Sequence, residues 1–143
     1  MTTVHLILGI AVIATTLVAG AWGGLAWLRN DPSVGFWYAL RVAQVVIVIQ
    51  VSLGVLLLLT GYVAPNIHYL YGGLCLVVSL LAEMIRAGAA RQELGELDFA
   101  SVSPDQQQAI GLAIVRREMG VMAVGCLVIL GLALRAAFLS PGV

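Results

Sequence analysis

The sequence predicts an all-α integral membrane protein, a four-transmembrane-helix up-down bundle. Three observations point there. Of 143 residues, 62% are hydrophobic and only 10% charged, and the mean hydropathy is +1.06, whereas a soluble domain is about half apolar and a quarter charged. The apolar residues fall into four runs, each near the roughly 20 residues that a bilayer-spanning helix needs. Turn-forming residues separate the first three runs. The same composition excludes a disordered chain, and a formal net charge of zero excludes a nucleic-acid binder, which needs a basic surface. Two cysteines are too few for a small disulfide-stapled secreted protein. The expected environment of the single domain, residues 1–143, is the lipid bilayer.

The first span is expected over residues 4–28. Met1-Thr2-Thr3 carries no side-chain charge and the apolar run behind it is long. A retained helix therefore fits better than a cleavable signal, which has a positive start and a short core. Asn30-Asp31-Pro32-Ser33 is a turn cluster, after which residues 36–61 form the second span. Gly61 to Asn66 links it to the third span, residues 67–86, with Asn66 as the expected N-cap. Residues 87–118 hold Arg91, Glu93, Glu96, Asp98, Asp105, Arg116, Arg117 and Glu118. There helix 3 is expected to run on to about Leu97. Ser103-Pro104-Asp105-Gln106 reads as a capping box with Pro at the first helical position, starting helix 4 near Pro104. Helices 3 and 4 would then form a helical hairpin in water, with the fourth span at residues 119–138. Short links make consecutive helices antiparallel neighbours.

All seven basic residues are arginines. Arg29 and Arg41 flank the first connection, and Arg86, Arg91, Arg116 and Arg117 lie on the third. The second connection and the N-terminus have no charged side chain. By the positive-inside rule, both termini are outside and the hairpin is cytoplasmic, in a bacterial cytoplasmic (inner) membrane.

The two histidines occupy matching positions. His5 opens the first helix as His-x-x-x-Gly with Gly9, and His68 opens the third in the same way with Gly72. Helices 1 and 3 run parallel on one diagonal of an up-down bundle, so both imidazoles lie at similar depth under the outer surface. Neighbouring helix axes are about 8–10 Å apart, which makes the diagonal roughly 11–14 Å. Two imidazoles reaching inward across it can hold an iron at about 2 Å each. The glycine one turn deeper on the same face leaves room for a flat macrocycle. The bland alternative is a pair of interfacial histidines beside glycines that let membrane helices pack closely. Zinc would need three or four ligands, and no cysteine or carboxylate lies near that end.

Arg135, near the outer end of helix 4, is the candidate partner for a heme propionate; otherwise it snorkels to the headgroups. Tyr62, Tyr69 and Tyr71 read as an interfacial aromatic belt. Arg41 and Glu83 sit at matched depth near the inner ends of helices 2 and 3, where a charge is costly unless paired. A structural ion pair is expected, with proton-coupled transport as the functional alternative. Gln44 and Gln50 are expected to hydrogen-bond between helices. Cys75 and Cys126 lie at different heights, so they read as small packing residues rather than a disulfide.

Gln50-Val51-Ser52-Leu53-Gly54, an apolar run to Thr60-Gly61, a short link and His68 together resemble the heme A synthase family. There, a helix with a Gln-x-x-Leu-Gly element precedes a short outer loop and a helix that opens with a heme-ligating His. His5 followed by Gly9 looks like that family's other His-containing helix. The resemblance runs over residues 5–85, in a chain whose four helices would correspond to one half of that family's eight-helix body, and bis-His membrane b-type cytochromes have similar bundles. The resemblance implies heme b held by the iron ligands His5 and His68, with Gly9, Gly54 and Gly72 at packing positions. The chain departs from the family in three ways. It has one half only, no Asp or Glu near either His, and no cysteine pair in an outer loop. What is implied is electron transfer or heme handling rather than heme oxidation. A homodimer, which would rebuild an eight-helix body, or a respiratory-type membrane complex is the expected partner. The alternative reading is a cofactor-free accessory subunit that docks a partner through its cytoplasmic hairpin. Whether the chain is an enzyme is left open by its residues.

Overall fold

A computed structural model describes residues 2–95 and 99–138. Four long helices account for nearly all of them: α1 (Thr2–Leu28), α2 (Val34–Leu59), α3 (Asn66–Leu94) and α4 (Pro104–Phe138), with a 3-10 turn at Phe99–Ser101 before α4. No strand occurs among the described residues. Each of the four helices is long and apolar enough to cross a membrane, so the chain is a multi-pass membrane protein in architecture. Glu96, Leu97 and Asp98 lie outside the described residues. α3 runs eight positions past the expected span and ends at Leu94, short of the expected Leu97, with Gly95 as its C-cap at φ 54°.

Local chemistry sets the helix ends. α1 stops where Asn30 turns to a positive φ of 54°, and Asp31 N–H donates back to Ala26 O at 3.0 Å. This left-handed cap satisfies a carbonyl that the last turn leaves without a partner. α2 ends the same way, with Gly61 at φ 88° and Tyr62 N–H donating to Leu57 O at 3.1 Å. Ser33 caps α2 by accepting from Phe36 N–H. The capping box is present as expected: Gln106 N–H donates to Ser103 Oγ at 3.4 Å and Ser103 N–H to Gln106 Oε1 at 3.1 Å. One cap differs. Asn66 is already helical and Pro65 is the N-cap, without a side-chain bond. Pro65 at φ −56° and ψ 139° turns the chain into the helix by ring geometry, and its carbonyl accepts from His68 N–H at 2.9 Å.

The helices form a ring in which α4 packs along both α1 and α3, α1 packs along α2, and α2 barely touches α3. α1 and α3 therefore stand on a diagonal. Small residues fill the interior: Ala19, Ala26, Ala43, Ala82 and Ala123 are buried. Large aliphatic residues such as Leu59, Val63 and Met84 face outward. That is the reverse of a soluble bundle, and it follows from the solvent. Lipid gives no hydrophobic drive between helices, so close backbone approach and dispersion hold them together. Two buried clusters result. One, around Phe36, Leu40, Met119 and Met122, joins α1, α2, α3 and α4 toward one end. The other, with Val12, Ile47, Cys75 and Ile129, lies closer to the histidines. Cys75 and Cys126 fall in different clusters and both are free thiols.

Candidate functional site: a paired-histidine end and a paired-charge end

The chain direction of the four helices brings the start of α1, the end of α2, the start of α3 and the end of α4 to one end of the bundle. There the two histidines meet. Their ring centroids are 5.9 Å apart and the planes are inclined by 58°. Both side chains are half-buried.

The two rings are held differently. His68 Nδ1 lies 3.3 Å from the carbonyl of Ala136. A carbonyl can only accept, so Nδ1 carries the proton and Nε2 the lone pair. Ala136 belongs to the last turn of α4, whose carbonyls have no intrahelical donor. The imidazole thus fills a helix-end vacancy and is fixed by it. His5 Nε2 lies 3.3 Å from Gln50 Nε2, while His5 Nδ1 and Gln50 Oε1 are buried without a hydrogen-bond partner. Leaving two such atoms unpaired in an apolar setting is costly. Pairing these two atoms with each other would need the His5 ring and the Gln50 amide to reorient together, which would also release Nε2.

The glycines have distinct roles. A Cβ on Gly54 would stand 3.2 Å from His5 Cε1, and one on Gly9 would stand 3.2 Å from Gln50 Nε2. These two make the cradle in which His5 and Gln50 cross between α1 and α2. At Gly72, one turn after His68, a Cβ would meet nothing within 4 Å. Arg135 is exposed and has no ion pair or hydrogen bond among the described residues. The tyrosines do more than form a belt. Tyr69 Oη accepts from Ala64 N–H at 2.7 Å and donates to Tyr62 O at 3.3 Å, which ties the α2–α3 link over the site. Gln50 was legible as an interhelical hydrogen-bonder and as part of the resembled motif. That it reaches His5 depends on helix rotation, which spacing alone does not give.

At the opposite end Glu83 is the hub of a charge cluster. Its Oε1 accepts from Arg41 Nη1 at 2.6 Å and from Gln44 Nε2 at 2.7 Å. Its Oε2 accepts from Arg86 Nε at 2.8 Å. Arg86 also lies 3.5 Å from Glu118 and over the Trp37 ring. The expected Arg41–Glu83 pair is present and larger than expected, joining α2, α3 and α4. Since α2 and α3 otherwise barely touch, this cluster is what closes their seam. Replacing Glu83 with Gln leaves two guanidiniums without their shared carboxylate. A loss of about 1–2 kcal/mol is expected for this partly exposed site, read as a lower thermal midpoint in detergent. The site at the histidine end is about 22 Å away, taking fifteen residues at 1.5 Å each, and should be unaffected.

Among the described residues no group of three or more His, Cys, Asp or Glu side chains could hold a bare metal ion. A protein-only zinc or copper centre therefore has no ligand set there. No protein-family model, curated protein or solved structure matches the chain.

Proposed function

We propose that this chain is a membrane b-type heme protein, in which His5 and His68 would hold one heme near one end of the bundle. The observation that carries the reading is the approach of these two imidazoles, 5.9 Å between centroids, from helices on a diagonal. Two imidazoles that share one iron at about 2 Å per bond have centroids about 6 Å apart. A macrocycle supplies the other four ligands, so two histidines suffice where a bare metal would need more. The unpaired His5 Nδ1 and Gln50 Oε1 and the open space at Gly72 fit a site whose side chains adjust to a group between them.

Heme bound there would supply a one-electron couple. The chain's own residues set how it is used. The Ala136 carbonyl fixes the His68 tautomer and raises the ring's basicity, as an outer partner of a metal-ligating histidine does. Gln50 does the same for His5 once that ring turns. If His5 and His68 both held the iron, no protein-free position would remain for oxygen, which favours electron transfer or heme handling. Arg135, exposed at the same end, is the proposed propionate partner. The resemblance to one half of a heme A synthase-like body, carried by Gln50 to Gly54 and the two histidines, belongs to this proposal.

The arginine distribution supports an orientation with both termini outside and residues 87–118 as a cytoplasmic hairpin, in a bacterial inner membrane. The Arg117–Glu93 bond at 3.0 Å between α4 and α3 would stiffen that hairpin. A second copy or a respiratory-type complex is the proposed electron partner.

The purified protein is expected to show a strong Soret band and sharp reduced α and β bands after dithionite, the signature of low-spin six-coordinate heme. A protein that stays colourless after added hemin overturns the proposal. The histidines would then be interfacial packing residues, and the hairpin the surface through which an accessory subunit docks.

A further inference from the structure

At the end opposite the histidines, an open cleft of about 290 Å³ lies between the α1–α2 link and α4, lined by Asn30, Pro32, Leu112, Ala113, Arg116 and Met119. Its composition is divided. Pro32, Leu112, Ala113 and Met119 are apolar, while Arg116 and Asn30 are polar and exposed. Neither polar side chain has an ion pair or hydrogen bond among the described residues.

The neighbouring arginines set Arg116 apart. Arg41 and Arg86 share Glu83, and Arg117 is bonded to Glu93. Arg116 follows its neighbours on α4 at about 100° per residue, which turns it from that acidic cluster toward the α1–α2 link. The acidic residue nearest in sequence to the link's lining is Asp31. Arg29 flanks Asn30 on the other side, so the two charges offset each other. The cleft thus combines an unpaired guanidinium, an unpaired amide and an apolar wall, three residues before the buried Met119 where α4 enters the packed bundle.

We infer that this cleft is a binding site for an anionic phospholipid. The Arg116 guanidinium and the Asn30 amide take the phosphodiester, and an acyl chain lies along Leu112, Ala113 and Met119. A guanidinium matches two phosphate oxygens as a fork, and basic pockets between membrane helices hold anionic headgroups in this way. The lipid is favoured over free phosphate because most of the lining is apolar, which a free anion cannot use. The inference is independent of heme.

The test is native mass spectrometry of the detergent-solubilised full chain with equal amounts of phosphatidylglycerol and phosphatidylcholine. Phosphatidylglycerol adducts are expected to exceed phosphatidylcholine adducts about fivefold, the effect of one basic side chain at an anionic headgroup. Arg116→Gln should remove that excess, and Arg117→Gln, whose guanidinium already has Glu93, should keep it. Ala113→Phe leaves every charge in place and fills the cleft; it should also remove the excess, while circular dichroism verifies its helices. A large excess of inorganic phosphate should not displace the lipid. The inference is overturned if the wild-type chain shows no preference, if both arginine variants lose it equally, if Ala113→Phe retains it, or if phosphate displaces the lipid.

Discussion

Replacing His68 with Ala is expected to reduce bound heme to background, measured as pyridine hemochrome per protein. His5→Ala should do the same or leave a five-coordinate, high-spin remnant. The asymmetry comes from how the rings are held. His68 is fixed by a helix-end carbonyl 3.3 Å away, so its ligating nitrogen is set before any iron arrives. His5 sits in the first turns of α1 with its Nε2 against Gln50, and it must turn to ligate. Gln50→Leu separates the two roles of that contact. If Gln50 merely occupied Nε2, its removal would strengthen heme binding. If Gln50 Oε1 becomes the acceptor of Nδ1–H, its loss should weaken binding about 10–100-fold, the usual effect of an outer partner, with the low-spin spectrum retained at saturating heme. Unchanged heme content in both histidine variants sinks the assignment.

Much of this architecture is written in the sequence because the membrane simplifies the problem. With no water to satisfy exposed peptide groups, a long apolar run has one stable form, a helix. Four such runs give four helices. Strictly local signals are legible as well. Ser103 and Gln106 lie three residues apart and cap each other. The Asn66 cap slipped by one residue because Pro65, with a fixed φ, already supplies the turn. At the site, the matched depth of His5 and His68 follows from chain direction alone. Rotation about the helix axes does not. Whether Gly9 faces a cofactor or Gln50, and whether Gly54 supports His5, depends on which small residues let which backbones approach. Sixteen glycines give many equivalent patterns. The Glu83 cluster was half legible: Arg41 and Glu83 had matched depth. Arg86 joining the same carboxylate through the next turn of α3 needed the structure, as did the thinness of the α2–α3 contact that makes the cluster matter.

Gly23→Ala is expected to be the most damaging single-methyl change in the bundle. A Cβ there would meet the Phe36 ring, with Cδ2 at 2.7 Å, Cζ at 2.9 Å and Cε2 closer still, distances that side chains do not tolerate. The ring has nowhere to go. Phe36 is fully buried and packs in one cluster with Ala19, Ala26, Leu40, Met119 and Met122. It also opens α2 three residues after its Ser33 cap, so moving the ring moves the helix start. Overpacking of this kind costs about 1–3 kcal/mol, against which the better helix propensity of alanine returns about 1 kcal/mol at most. The neighbouring glycine is the control. A Cβ on Gly24 meets nothing within 4 Å, so Gly24→Ala should leave stability unchanged or raise it by the propensity gain alone. The two variants differ by one position and the same methyl group, so their thermal midpoints in detergent separate packing from propensity. Equal midpoints would mean that α1 and α2 do not approach at Gly23, and the ring of contacts through α1 would have to be redrawn. A lower midpoint for Gly23→Ala alone places the close α1–α2 contact at this glycine. That contact matters beyond stability, because α1 holds His5 and α2 holds Gln50. A close approach at Gly23 holds together the two helices whose other ends carry the His5–Gln50 contact at 3.3 Å.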